Sequence, residues 1–345
     1  MFLQQVRNVC QALSGTVRYL NTHAEYEESR VGKVLVSPQP MCTVIFNPTE
    51  RVLFSAVRDA NPFFHMFEAI WMMAGRHDAR ILDWFIQDFS KNYAEKDGDI
   101  HGAYGYRWRH HFGYDQLDAV VQKLINQPYD RQAVIQMWDA HKDRANDLLG
   151  DWRDKPCNDI IFLRRIDNSL DMTVCCRSND MIWGAHGANA VHFSILLEYL
   201  AARIDLGVGH LTQISNNAHV YLETYNKIIS RASPEQLMDD RYSIDKTIKP
   251  IPMFKDVEHI DDDFDLFYSW TRNAIEDDTI DIDPHLFHNE WFPTVAAPTI
   301  MAFRAYKKKD FKGGLALAKE IMAPDWQMAC YEWIQRRNKW IPPVK

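Results

Sequence analysis

Cys157 is the residue in this sequence whose type and surroundings most suggest chemistry. It lies in the segment DKPCNDIIF, between Pro156 and a run of β-forming residues. This position predicts a sulfur at the edge of a strand, beside a neighbour that has no backbone N–H, where a thiolate could act as a nucleophile. A cysteine taken alone is more often an inert core residue, so the catalytic interpretation depends on the surrounding groups.

Three segments offer guanidinium groups that could bind an oxyanion such as phosphate. The run RSND combines Arg177 with the hydroxyl of Ser178 and the carboxylate of Asp180 at the end of a β-rich segment. Arg131 precedes the apolar run QAVIQMW, and Arg30 lies in ESRVGK. Each of these arginines could instead form a surface ion pair.

Four other residues could transfer protons or bind a polar ligand. Glu68 interrupts an otherwise apolar helical segment, and Tyr104 lies in HGAYGYRWR. Glu68 could face solvent, but a buried carboxylate would suit proton transfer. His219 and Tyr221, in SNNAHVYLETY, could be ordinary helix-surface residues or could contact a ligand.

The hydrophobic periodicity predicts the elements that must position these groups. Helices are predicted over 1–22, 59–75, 115–126 and 188–204, strands over 132–139, 159–165 and 170–176, extended segments within 31–57, and a loop over 89–105. Asn61 and Gly75 are the expected ends of the second helix. Gly184, Gly187 and Asn189 lie at the start of the fourth helix, where free N–H groups and the positive end of the helix dipole can hold polar ligand atoms.

Composition limits the class of protein. The chain has 345 residues, of which 46% are hydrophobic, and its net charge is −8. The length permits one large domain or two small ones. The composition predicts a soluble globular protein of the cytoplasm, without a membrane span, and the charge favours a small anionic ligand over nucleic acid. The six cysteines contain no CxxC pair, so neither a disulfide framework nor a metal site is expected.

Read in order, six segments resemble thymidylate synthases and the related pyrimidine nucleotide hydroxymethylases. They are FEAIWMMAG, DGDIHGAYGYRWR, DRQAVIQMWD, PCN, CRSNDMIWGAHGAN and NNAHVY, within 30–221. The resemblance implies an α/β (α+β) fold in which helices pack on a mixed central sheet and one sheet face forms a homodimer interface. A single catalytic domain would cover 1–345, with a divergent region of extra helices over 230–345.

The resemblance also implies roles for the residues that match. Cys157 would attack C6 of the pyrimidine, after which C5 would capture the one-carbon unit of 5,10-methylenetetrahydrofolate. The expected phosphate ligands are Arg177, Ser178, Arg30 and, from the partner subunit, Arg131; the expected sugar ligands are His219 and Tyr221. Glu68 would transfer protons, Tyr104 would help to remove the C5 proton, and Asp180 and Glu68 would face the folate. Asn189 would read the base, and its amide favours uracil over cytosine.

Several positions depart from the family pattern. Asn158 follows the cysteine where the family has His, and Gln132 replaces a second Arg. One residue is inserted between Gly184 and Asn189, so Ala188 could occupy the base-reading position instead. Ser90 stands near an expected shielding Trp, and the chain ends in DWQMACYEWIQRRNKWIPPVK instead of a short apolar tail.

These departures bear on the product. A methylene group on C5 becomes a methyl group if it receives hydride, and a hydroxymethyl group if water reaches it first. Reduced shielding favours a deoxyuridylate hydroxymethylase, with deoxycytidylate hydroxymethylation and thymidylate synthesis as alternatives. A non-catalytic nucleotide-binding scaffold and an unrelated cysteine hydrolase are the alternatives from other classes.

Overall fold

The computed structural model describes residues 1–29, 32–143, 152–277 and 279–338, and within them one mixed eight-stranded sheet. The strands are β1 (Phe2–Val6), β2 (Glu25–Ser29), β3 (Gly32–Val36), β4 (Met41–Ile45), β5 (Val134–Gln136), β6 (Asn158–Ile166), β7 (Ser169–Asp180) and β8 (Gly207–Tyr221). The main order is β1-β4-β8-β7-β6-β5, and the β2–β3 hairpin joins β8 through β3. The β1–β4 and β7–β8 pairs are parallel, whereas the other pairs are antiparallel. The predicted mixed sheet packed by helices is thereby confirmed.

Twelve α-helices are described. They are α1 (Val9–His23), α2 (Pro62–Met73), α3 (Phe89–Tyr93), α4 (Tyr104–Arg109), α5 (Gln116–Asn126), α6 (Asn189–Arg203), α7 (Leu222–Ile229), α8 (Arg241–Ile244), α9 (Ile260–Glu276), α10 (Ala297–Lys307), α11 (Phe311–Lys319) and α12 (Pro324–Asn338). As predicted, Asn61 caps α2: its side chain accepts from the N–H of Phe64, and Pro62 opens the helix. Every residue of α2 is buried, so this helix forms the centre of the core.

The C-terminal helices cover α2. Phe63 of α2 packs against Phe303 of α10 and Trp333 of α12, with ring centroids 4.9 and 5.4 Å apart. One hydrophobic cluster includes buried residues from Val9 in α1 to Ile334 in α12. The helices beyond residue 230 therefore share the core that supports the site.

Some predicted elements were wrong. Residues 2–6 form β1 rather than the start of a helix, because α1 begins only at Val9, where the side chain of the preceding Asn8 caps it. The predicted loop over 89–105 contains α3 and the first residues of α4, two short helices that depend on tertiary packing. Strand β8 was not predicted, so His219 and Tyr221 belong to a strand and not to a helix surface.

Candidate active site

The sheet brings the predicted chemical groups to one edge. Because β6 and β7 are antiparallel, the start of β6, just after Cys157, lies beside the end of β7. Because β7 and β8 are parallel, their carboxyl ends also meet: Ser178 pairs with Asn217, and Asp180 pairs with His219. Residues far apart in the sequence are thus neighbours at this edge.

Cys157 and Arg177 form the centre of this edge. The Arg177 N–H donates to the carbonyl of Cys157, which fixes the two residues side by side. The guanidinium donates to the carbonyls of Pro156 and Lys155, and its Nη2 lies 3.7 Å from the Cys157 sulfur. A cation at this distance favours a thiolate, which is the nucleophilic form of cysteine.

Three helices close the site above the sheet edge. Glu68 comes from the middle of α2, Tyr104 is the first residue of α4, and Asn189 is the first residue of α6. Burial raises the pKa of Tyr104 well above its ordinary value, and the nearby Cys157 adds to this effect. The phenol therefore remains protonated at neutral pH and can act as a hydrogen-bond donor.

These groups line a cavity of about 710 Å³, within the usual size range of small-molecule sites. Of the residues predicted to be functional, the lining includes Glu68, Tyr104, Cys157, Arg177, Ser178, Asp180, Ala188, Asn189, His219 and Tyr221. Apolar side chains form another part of the wall: Phe64, Trp71, Ile86 and Phe89. A polar sheet edge facing an aromatic wall suits a ligand with both a phosphate and flat rings.

The carboxylate of Asp180 belongs to the cavity wall. Its Oδ1 accepts from the N–H groups of Ile182 and Trp183, whereas Oδ2 is buried without a hydrogen-bond partner. Burial raises the pKa of this carboxyl group, and nearby His219 opposes the shift. An unpaired buried acceptor fits the N–H groups of a folate ring, so the residues present suit this co-substrate.

The segment in which the sequence predicts an inserted residue is a kinked helical stretch. Met181–Ala188 is interrupted at His186 and Gly187, which depart from helical backbone angles, and regular helix resumes with α6. Asn189 is the first residue of α6 and lines the cavity, where its Nδ2 donates to the Asn179 Oδ1 at 3.3 Å. Ala188 lines the cavity as well.

Three predicted positions, Asn158, Arg131 and Ser90, do not line the cavity. Asn158 is fully buried behind Cys157 and accepts a hydrogen bond from the thiol of Cys176. Arg131 is exposed and is not part of the cavity wall of its own chain. Ser90 donates its hydroxyl to Asp83, while its neighbour Phe89 faces the cavity. Arg30 lies outside the described residues.

Sequence reasoning missed five ionisable residues in the cavity wall: Glu27, His65, Tyr93, Asp154 and His192. Burial raises the pKa of Asp154 to about 6, and burial lowers that of His65 well below its ordinary value, helped by Arg58 and His192. Nε2 of His192 lies 2.9 Å from Oε2 of Glu68. The one sequence signal for His192 is its position three residues after Asn189, which places both side chains on the same face of a helix.

Two negative findings apply to the described part of the chain. No helix there is long and apolar enough to cross a membrane. No group of three or more His, Cys, Asp or Glu side chains there could hold a metal ion.

The fold and cavity are typical of an enzyme that has a cysteine beside an arginine at the edge of a mixed sheet. A model of the thymidylate synthase family matches residues 24–266. The deoxyuridylate hydroxymethyltransferase of Pseudomonas phage M6 is 39% identical over 346 residues, covering 97% of this chain and 94% of the phage protein. The chain therefore belongs to the thymidylate synthase family and is a one-carbon transferase.

Two other relatives show how identity falls across the family. The deoxyuridylate hydroxymethyltransferase of Bacillus phage SP01 is 32% identical over 242 residues, which are 66% of this chain and 60% of that protein. The thymidylate synthase of Mycoplasma mobile is 24% identical over 279 residues, which are 72% of this chain and 88% of that protein.

Proposed function

We propose that this protein is a deoxyuridylate 5-hydroxymethyltransferase, which transfers the one-carbon unit of 5,10-methylenetetrahydrofolate to C5 of dUMP and adds water to it. The observation that carries the proposal is the juxtaposition of the Cys157 sulfur with Arg177 at the floor of a cavity that Asn189 also lines. The printed function of the relatives from phages M6 and SP01 supports the same reaction.

Each residue at the sheet edge has a part in this proposal. The Cys157 thiolate adds to C6 of the base, and the electron pair displaced onto C5 makes that carbon a nucleophile. Arg177 and Ser178 bind the phosphate, and His219 and Tyr221 bind the sugar hydroxyl. Asn189 pairs with O4 and N3–H of uracil, which a cytosine ring could not match equally well.

The helices supply the proton transfers and the folate contacts. Glu68 orders water near C4, and the protonated phenol of Tyr104 donates to the base that removes the C5 hydrogen. Oδ2 of Asp180 accepts from the folate ring, while Phe89 and Ile86 offer it an apolar surface. Bound folate supplies the carbon unit that C5 captures.

We also propose that the enzyme is a homodimer of the cytoplasm and that Arg131 of each chain completes the phosphate site of its partner. Arg131 is exposed and distant from its own cavity wall, as a residue that serves a neighbouring subunit must be. Phe162 of β6 is 43% exposed, although it belongs to an inner strand of the sheet. A large apolar side chain on an open sheet face suits a subunit interface.

The decisive experiment supplies purified protein with 5,10-methylenetetrahydrofolate and dUMP, dCMP or CMP and identifies the product by mass spectrometry. We expect 5-hydroxymethyl-dUMP together with tetrahydrofolate, and no product from Cys157→Ala. Thymidylate together with dihydrofolate would show a synthase instead. A product from dCMP but none from dUMP would overturn the assignment of the base.

The same assay separates enzyme from scaffold. In the absence of folate, the adduct at C6 should let the C5 hydrogen of dUMP exchange with solvent. If the wild type binds dUMP as tightly as Cys157→Ala does and catalyses neither exchange nor transfer, the enzymatic proposal is wrong.

A further inference from the structure

We propose that His192 is the general base that activates the water added to the one-carbon unit. His192 belongs to α6 and lies one turn after Asn189, so the two side chains share a helix face. It lines the cavity and is only 3% exposed. This inference rests on the proposed hydroxymethylation and names the residue that would direct it.

The contacts of His192 place one ring nitrogen beside a carboxylate and leave both nitrogens without a hydrogen bond to the described residues. Nε2 approaches Oε2 of Glu68 to 2.9 Å without hydrogen-bond geometry, and neither Nδ1 nor Nε2 has a hydrogen-bond partner among the described residues. The same Oε2 is also unpaired. Buried polar atoms without protein partners at a cavity wall are typically satisfied by a ligand or by ordered water. A water molecule held by Glu68 and His192 would satisfy both side chains.

The reaction step balances with these groups. After tetrahydrofolate leaves, C5 carries an exocyclic methylene and C6 is bonded to the Cys157 sulfur. The water oxygen bonds to the methylene carbon as one water proton passes to His192, and the methylene π electrons move through C5 onto O4. Collapse of this enolate re-forms the C5–C6 double bond and expels the Cys157 thiolate. His192 then releases its proton to solvent.

Three other ionisable residues of the cavity wall, Tyr104, His65 and Cys157, are less suited to accept that proton. Burial raises the pKa of Tyr104 so far that its phenol is already protonated. His65, one turn before Glu68 on α2, is a weak base because burial lowers its pKa well below the ordinary value. Cys157 is bonded to the ring at this stage. The carboxylate of Glu68 can orient the water that an imidazole deprotonates.

The test separates the water step from the steps before it. Release of tritium from C5 of dUMP reports all events through formation of the methylene, whereas hydroxymethyl product reports water addition. An added thiol, such as 2-mercaptoethanol, competes with water for the methylene carbon and gives a thioether on C5. For His192→Gln we expect product formation to fall by on the order of 100-fold, the usual contribution of a general base. With the thiol present, which adds to the methylene carbon and so frees Cys157 for another turnover, tritium release should stay within about threefold of wild type, and the thioether should become the main product.

A matched control is His186→Gln. His186 is also a buried histidine close to α6, but it contacts Thr16 through Nε2 at 2.8 Å and is not part of the cavity wall. This variant should change the midpoint of thermal unfolding without changing the ratio of hydroxymethyl to thioether product. His192→Asn, with a shorter amide, provides a second variant in case His192→Gln does not fold.

Three results would overturn the role of His192. They are an unchanged product ratio in both variants at position 192, a parallel fall of tritium release and product, and a shift of the ratio in His186→Gln as large as in His192→Gln. Failure of the proposed function looks different, because the wild type would then make no hydroxymethyl product.

Discussion

At the scale of single residues, the buried carboxyl group of Asp325 has two hydrogen-bond donors but a raised pKa. Asp325, near the start of α12, is 1% exposed, and it accepts hydrogen bonds from the N–H of Trp326 and the hydroxyl of Tyr242. Burial nevertheless raises its pKa from 3.8 to about 6. Two neutral donors do not replace the hydration that the carboxylate loses.

Asp325→Asn should therefore stabilise the protein more as the pH rises. The folded-state pKa lies above the unfolded value, so the wild type keeps the stability of the protonated form below pH 3.8 and loses it as the pH rises through about 6. The amide has no charge to bury, and the Tyr242 hydroxyl can accept from it. In urea unfolding, we expect the free energy of unfolding of the variant to exceed that of the wild type by about 1 kcal/mol more at about pH 8 than at about pH 5. An equal difference at the two pH values would contradict the raised pKa.

The residues of the site differ in how readily the sequence reveals them. Cys157, Arg177 and Asn189 stand in short ordered motifs, and all three line the cavity. His192 and Asp154 have no motif, and burial near a ligand is a property of the folded chain. A histidine among apolar helix residues gives the same sequence pattern whether it fills the core or faces a cavity.

At the scale of elements, α2 and the long helix α6 were predictable, whereas β8 was not. A continuous apolar run and its capping residues mark α2, but β8 carries polar residues such as Gln213 and Asn217 along its length. Its partners are distant in sequence, so only tertiary pairing explains the strand. The register that places Asp180 beside His219 is a property of the sheet and has no local signal.

The close packing of α4 against α2 leads to a prediction at this scale. A Cβ on Gly105 of α4 would lie 1.9 Å from the backbone oxygen of Met72, at the end of α2. Gly105→Ala must therefore push α4 away from α2. These two helices carry the site residues Tyr104 and Glu68. We expect a loss of about 1–3 kcal/mol in the free energy of unfolding, together with reduced transfer activity.

Gly207→Ala is the control for this prediction. The nearest atom to its added Cβ is the backbone oxygen of Asn168 at 3.3 Å, at the start of β8 and away from the cavity wall. It should have a much smaller effect in both denaturant unfolding and the transfer assay. If Gly105→Ala unfolds at the same denaturant concentration as wild type, the two helices are not packed as closely as described.

At the scale of the whole molecule, the C-terminal helices are joined to the segment that leads into α2. Arg336 and Arg337 of α12 both contact the carboxylate of Asp59, at 2.9 and 2.8 Å. Asp59 has a left-handed backbone (φ 49°), which positions its side chain just before α2. The region beyond residue 230 thus supports α2, whose residues line the cavity.

The shared site of the proposed homodimer can be tested by mixing inactive variants. Cys157→Ala and Arg131→Ala should each lack activity as homodimers, the first for want of a nucleophile and the second for want of a phosphate ligand. In a mixed dimer, one cavity receives an intact Cys157 from one chain and an intact Arg131 from the other. The mixed dimer, co-expressed with two different tags and isolated by tandem purification, should therefore regain hydroxymethylation.

Mixing Cys157→Ala with Glu68→Ala is the control, because both residues line the cavity of the same chain and neither mixed site is complete. Recovery in both mixtures, or in neither, would contradict a site completed by the partner's arginine.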